Sequence, residues 1–198
     1  YLPVRSRRQR QVCLRASLAG RWGALATQGR SVDVPARGTL AAASVSHAVV
    51  AEAQTAYLAG HNTWGQLGQG RTSVWGTARI ALPDRIVSAA AGLGFTCLAT
   101  SDALYVSGTN VRGQMGLDQE RGSLSFQRLA LPAVRSVCAG LDHMLVLAGA
   151  QGWACGLHTD RQLGVPSRAP YLATLERGAL PRAAGDGESS RAARGGAA

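Results

Sequence analysis

Apolar residues along the middle of the chain come in short runs, and none reaches the ten or more residues that a helix wants. Residues 95–100 and 103–107 flank Ser101-Asp102, and residues 143–148 and 152–155 flank Gly149-Ala150-Gln151. Residues 47–51 and 56–59 form a third such pair. Two short apolar runs around a small or polar turn predict a β-hairpin, so the expected class is all-β. The 25 glycines fit many short elements joined by tight turns.

The hairpins repeat. Gly60-His61-Asn62-Thr63-Trp64-Gly65-Gln66-Leu67-Gly68 recurs as Gly108-Thr109-Asn110-Val111-Arg112-Gly113-Gln114-Met115-Gly116, and again as Gly156-Leu157-His158-Thr159-Asp160-Arg161-Gln162-Leu163-Gly164. The step is 48 residues both times, and His47, Phe95 and His143 keep it, as do Gly92 and Gly140. A second marker, Ala81-Leu82-Pro83, returns at 130–132 and 179–181. Gly60, Gly108 and Gly156 each end a strand, and the following glycines (65, 68, 113, 116, 164) suit a tight turn. The Leu or Met between the last glycines is expected to plug the space between neighbouring units. Several short strands per 48 residues is the arithmetic of a propeller blade, not of a helical solenoid.

The order Ala-Gly-x-x-His, hairpin, Gly-x-Asn-x-x-Gly-Gln-Leu-Gly, Leu-Pro resembles the regulator of chromosome condensation repeat. The resemblance covers residues 44–181. It implies a seven-bladed β-propeller, of which about three four-stranded blades are present, and it puts His47 and His143 in the repeat's core. Departures are Phe95 for His, Arg161 for the first turn glycine, and Leu157-His158 for a residue plus Asn. Gly92-Leu93-Gly94-Phe95-Thr96 is similar to a stretch of the mitochondrial branch of that family. Because a blade buries its faces against its neighbours, three copies imply that the remaining blades lie outside this sequence.

Charge divides the chain differently. The net charge is +10, all 21 basic residues are arginine, and seven of them precede Asp33, where no acid occurs. Residues 1–43 thus read as an Arg-rich, disordered leader, residues 44–181 as three repeats, and residues 182–198 as a low-complexity tail or remnant of a fourth repeat. Leu14, Leu18, Trp22 and Leu25 would share one face of a helix, the pattern of a mitochondrial transit peptide. A plain basic arm, or one that touches RNA or membrane, stays open beside it. The location expected is mitochondrial, with nuclear or cytoplasmic as the alternative. No apolar stretch is long enough for a transmembrane helix.

Chemistry is sparse. Without lysine the chain has no Walker A loop and no Schiff-base residue. His61 and His158 have no Cys or carboxylate at ligand spacing, Asp142-His143 lacks a nucleophile, and Cys97, Cys138 and Cys155 read as small buried thiols on strands. No metal, cofactor or catalytic constellation is expected. The expected function is a non-catalytic scaffold for a protein or ribonucleoprotein partner, docked through the loops that differ between copies. Those loops offer Trp75, Asp118, Glu120, Arg121, Phe126, Asp160 and Tyr171. The family resemblance implies an alternative, guanine nucleotide exchange on a small or dynamin-like GTPase.

Overall fold

A computed structural model describes residues 40–178 and, before them, three strands: β1 (Cys13–Ala16), β2 (Trp22–Thr27) and β3 (Arg30–Asp33). Every regular element among these residues is a strand. The first repeat contributes β4 (Leu40–Ala43), β5 (His47–Glu52), β6 (Thr55–Asn62) and β7 (Ser73–Ala81). The second contributes β8 (Ser88–Ala91), β9 (Phe95–Ala99), β10 (Ala103–Gly108) and β11 (Ser123–Ala130). The third contributes β12 (Val134–Ala139), β13 (His143–Ala148), β14 (Gln151–Leu157) and β15 (Tyr171–Gly178). Each set forms its own four-stranded antiparallel meander in chain order.

The hairpins fall where the apolar runs placed them, with Ala99 opposite Leu104 and Ala148 opposite Gln151. β4, β8 and β12 lie side by side along the inner edge, so the sheets stack as consecutive blades. Between the first two, Val49, Ala51, Leu58 and Leu67 meet Leu98 and Tyr105. Between the second and third, Phe95, Leu104, Val106 and Met115 meet Val137, Met144, Val146 and Cys155. Leu67 and Met115 are the expected plugs, both at 0% exposure. Alternation along each strand sends one set of side chains to the preceding blade and the other to the following one.

Gly60, Gly108 and Gly156 have φ of +141°, +118° and +100°. A Cβ at Gly60 would lie 2.5 Å from the carbonyl oxygen of Ser46, and one at Gly156 2.4 Å from that of Asp142. The glycines let β6, β10 and β14 pass this close to the turn before the neighbouring strand.

Two expectations about the ends change. The first blade begins at Leu40, so a boundary at 43/44 would leave its whole inner strand in the leader, although that strand pairs from Leu40–Ala51 to Ala43–Ala48. Leu14, Trp22 and Leu25, expected on one helical face of a disordered leader, lie instead in β1 and β2 of a three-stranded sheet. β2 and β3 of that sheet lie against β6 and β7. Leu18 and residues 179–198, the expected tail included, lie outside the described residues.

Candidate functional site

In each blade the first and second strands join on the same side as the loop between the third and fourth strands. The hairpin turns at 53–54, 101–102 and 149–150 and the links to the next blade lie on the opposite side, tied by bonds such as Leu82 N to Gln54 O and Leu131 N to Asp102 O. The first side, the loop face, carries the long loops between the third and fourth strands.

Its loops are held by a repeated clamp. Asn62, fully buried, donates through Nδ2 to Arg71 O at 2.8 Å and accepts from Leu67 N at 3.0 Å. Asn110 does the same with Gln119 O and with Met115 N. His158 takes the place in the third copy, accepting from Leu163 N at 3.4 Å through Nδ1, and is 3% exposed. Gln66, Gln114 and Gln162 each fold back to accept a backbone N–H, from Trp64, Arg112 and Asp160. These polar residues build the loops, and sequence reading saw only their spacing.

The core histidine is a link between blades. His47 Nδ1 bonds Ser46 Oγ at 2.9 Å, its Nε2 bonds Thr96 Oγ1 at 2.7 Å, and Thr96 Oγ1 donates to Gln66 O at 2.6 Å. Complete burial, with a smaller contribution from His61, drops its pKa from 6.5 to about 3, so the ring is neutral. His143 holds the same position in the third blade, but it is only half-buried and its ring has no hydrogen-bond partner among the described residues. Burial also pushes the Cys155 thiol up to about 12 and raises Cys97, which makes both poor nucleophiles. Cys138, expected buried, is exposed because it lies on the flank of the third blade that no further blade covers among the described residues.

The candidate docking residues separate into three groups. Asp118, Glu120 and Tyr171 line one cavity of about 230 Å3 between the second and third blades, with Asn110, Gly113, Gln119 and Ala173. Glu120 and Arg121 line a second cavity, of about 500 Å3, with Trp64, Thr109, Val111 and Leu124. The remaining three stand apart. Trp75 is half-buried against His61, ring centroids 3.8 Å apart. Phe126, expected at a docking surface, packs over Gly68, where a Cβ would come within 2.3 Å of its ring. Asp160 is exposed on the third blade's loop and lines neither cavity.

Sequence reading missed Val45, Trp64, Val74, Val111, Leu124 and Leu141. Together with Tyr171 these are all the exposed large hydrophobics among the described residues except Leu145. All seven sit in loop-face turns or in the first two residues of the strands leaving them. The signal for Trp64 was present: the equivalent positions hold Arg112 and Asp160, so an aromatic ring there serves no requirement of the repeat.

Solved structures share this arrangement. Human WBSCR16 matches with a TM-score of 0.63 at 19% identity, over 75% of this chain and 42% of that protein. The chain folds as an arc of an RCC1-type β-propeller. Yeast RCC1 (Prp20), in a crystal structure bound to Kap60, matches at 0.65 and 19% identity over 74% of this chain and 38% of its own. Prp20p from Saccharomyces cerevisiae, in a structure reported with its binding properties to Gsp1p and histones, matches at 0.64 and 19% identity, over 76% and 40%. The chain therefore spans about two fifths of the length of these propellers. Neither a protein-family model nor a curated protein matches the sequence.

Proposed function

We propose that this propeller arc is a non-catalytic scaffold that docks a protein partner on its loop face. The observation that carries this reading is the one-sided distribution of exposed apolar side chains. Val45, Trp64, Val111, Leu124, Leu141 and Tyr171 cost hydration where they stand, and even Trp64 and Leu124, which touch Gly94 and Gly65 of the neighbouring blade, stay 48% and 41% exposed. A set of such residues confined to one face marks an interaction surface. Carboxylates (Asp118, Glu120, Asp142, Asp160) and arginines (71, 112, 121, 161, 168) alternate among them. This face thus lacks the single-signed field that nucleic acid needs, which favours protein over RNA.

The test places a photo-crosslinking residue at Val111 or, on the opposite side, at Asp84, in the full chain expressed in cells. The reading expects the same partner band from Val111 with and without Asp84→Arg, and its loss with Trp64→Ser. Bands from Asp84 alone would overturn it.

A second reading, nucleotide exchange on a GTPase, draws on Prp20p, whose structure is reported with binding to Gsp1p. It predicts that catalytic amounts of the chain speed release of labelled GDP from a member of a GTPase panel. No acceleration across the panel leaves the scaffold alone. For location we propose the mitochondrion, supported by the acid-free, Arg-rich stretch before Asp33. Imaging of the tagged chain tests it, and exclusive nuclear or cytosolic signal removes it.

A further inference from the structure

The two cavities on the loop face are adjacent and chemically unlike, and Glu120 lines both. The smaller one is acidic. Asp118 and Glu120 are exposed, no basic residue lines it, and neither carboxylate has a hydrogen bond or ion pair among the described residues. The one ion pair among the described residues, Arg128 with Asp102 at 2.9 Å, lies toward the opposite side of its blade. Tyr171, 36% exposed, adds an aromatic ring to the same cavity. Two unpaired carboxylates beside an aromatic ring suit a cationic side chain and repel an anionic one.

The larger cavity adds three large apolar side chains to a lining that also holds Glu120 and Arg121. Trp64, Val111 and Leu124 are 48%, 62% and 41% exposed there. The Trp64 ring rests on backbone, since a Cβ added to Gly94 would lie 2.5 Å from it. The loop dividing the cavities is also fixed, because Asn110 Nδ2 donates to the carbonyl of Gln119, between the two acids. An occupant thus meets a surface that needs little ordering.

We propose that the partner of this face presents an extended segment with an Arg or Lys side chain for the acidic cavity and a large apolar side chain for its neighbour. This rests on the loop face being the docking surface, and it adds what the partner must offer there. In the smaller cavity, which no basic residue lines, charge complementarity selects a cationic side chain over an anionic one, while Arg121 and Glu120 balance each other in the larger.

The probe is a set of fluorescein-labelled octapeptides on a Gly-Ser background, carrying one Arg and one Leu at varied separation, titrated against the full chain by polarisation. The best Arg–Leu peptide should bind about tenfold more tightly than peptides with either residue alone. Replacing its Arg by Glu should abolish binding. In the protein, Asp118→Asn with Glu120→Gln should remove the preference for Arg over Gln and leave the Leu-only peptide unchanged. Val111→Asp should do the reverse, with circular dichroism confirming that each variant folds.

Equal affinity for Arg and Glu peptides, an unchanged Arg preference in the double variant, or no binding up to about 1 mM overturns the proposal. In any of those cases, a partner crosslinked from Val111 keeps the docking face and discards only the basic–apolar segment. Crosslinking from Asp84 alone discards both.

Discussion

His47 of the first blade and Thr96 of the second meet at 2.7 Å across their interface, and the same two positions across the next interface hold Phe95 and Met144. One architecture thus joins its blades by a buried hydrogen bond in one place and by shared burial of an aromatic ring and a thioether in one apolar cluster in another. The residue three before the ring bears on the exchange, and it is glycine before Phe95 and before His143 but serine before His47. Gly92 leaves room for Phe95, whose ring would lie 1.9 Å from a Cβ there, whereas Ser44 bonds His47 instead. His47→Phe alone should therefore cost about 1–3 kcal/mol by overpacking against Ser44. Ser44→Gly, His47→Phe and Thr96→Met together should bring stability back to within about 1.5 kcal/mol of the parent. Urea melts of the single and triple variants check the ordering.

The same histidine sets an acid response. It is neutral in the folded chain, with its pKa lowered from 6.5 to about 3. Unfolding lets it protonate, so its contribution to stability is complete above pH 6.5 and is lost as pH falls toward 3. Over that window the folding constant should fall by up to about tenfold per pH unit from this residue. The triple variant should show a flatter profile than the parent. Their difference isolates His47 from the carboxylates, which titrate in both proteins.

Leu67 and Leu163 occupy the same turn position but face different surroundings. Leu67 lies in the packed cluster between two blades, while Leu163 lines a cavity of about 460 Å3 on the third blade's uncovered flank. Leu67→Ala should cost about 2–5 kcal/mol, the range for a closed core. Leu163→Ala should cost clearly less, because solvent enters its space without leaving a void. Equal losses in denaturant midpoint would mean that the flank is covered in solution.

How much of this was readable beforehand follows from what the repeat dictates. Turn glycines, plug residues and hairpins recur at one spacing because each blade must solve the same backbone problem, so the sequence alone places Gly60, Leu67 and the 95–107 hairpin. The docking face is different. Val45, Trp64 and Val111 converge only because alternating strand directions bring two kinds of loop to one side, and no local pattern encodes that. The packing of Phe126 is hidden for the same reason, because it depends on Gly68 in the preceding blade. The leader was misread because Leu14, Leu18, Trp22 and Leu25 fit a helical period, while strand pairing such as Leu14 with Leu25 is a non-local choice.

Arg161 and Asp118 are non-glycine residues with φ of +57° and +50°, where the repeat elsewhere uses glycine: Gly113 for the first and Gly70 for the second. A Cβ at Gly113 would come within 2.3 Å of Leu172 O in the following blade, and one at Gly65 within 2.6 Å of Leu124. At Arg161 no following blade is present among the described residues, so the side chain fits and only the left-handed backbone is strained. Arg161→Gly should raise stability by about 1 kcal/mol. Asp118→Gly should gain less, since Asp tolerates this conformation, yet it should weaken docking by removing a carboxylate from the acidic cavity. A thermal melt separates the two effects: stabilisation by Asp118→Gly as large as by Arg161→Gly would show that strain alone governs this position. If further blades are supplied in register with the third, Arg161→Gly should strengthen their association, because its Cβ stands where their outer strand would pass.

The sheet of β1, β2 and β3 bears on both stability and destination. The face of the first blade turned away from the second carries Ala48, Val50, Tyr57 and Ala59, each at most 8% exposed, and β2 and β3 lie against the strands that bear Tyr57 and Ala59. Removing residues 1–33 should uncover these side chains, at about 1.5–3 kcal/mol for each large one left in water. The shortened chain should melt at lower temperature, with less cooperativity, and bind a hydrophobic dye that the full chain does not. This makes a specific demand on the mitochondrial reading. A presequence cleaved before Cys13 leaves the cap intact, whereas cleavage after Asp33 strips it. The mature N-terminus, read by terminal sequencing of the protein recovered from mitochondria, should therefore precede Cys13. A mature form starting beyond Asp33 that melts like the full chain would show that this sheet contributes nothing to the first blade.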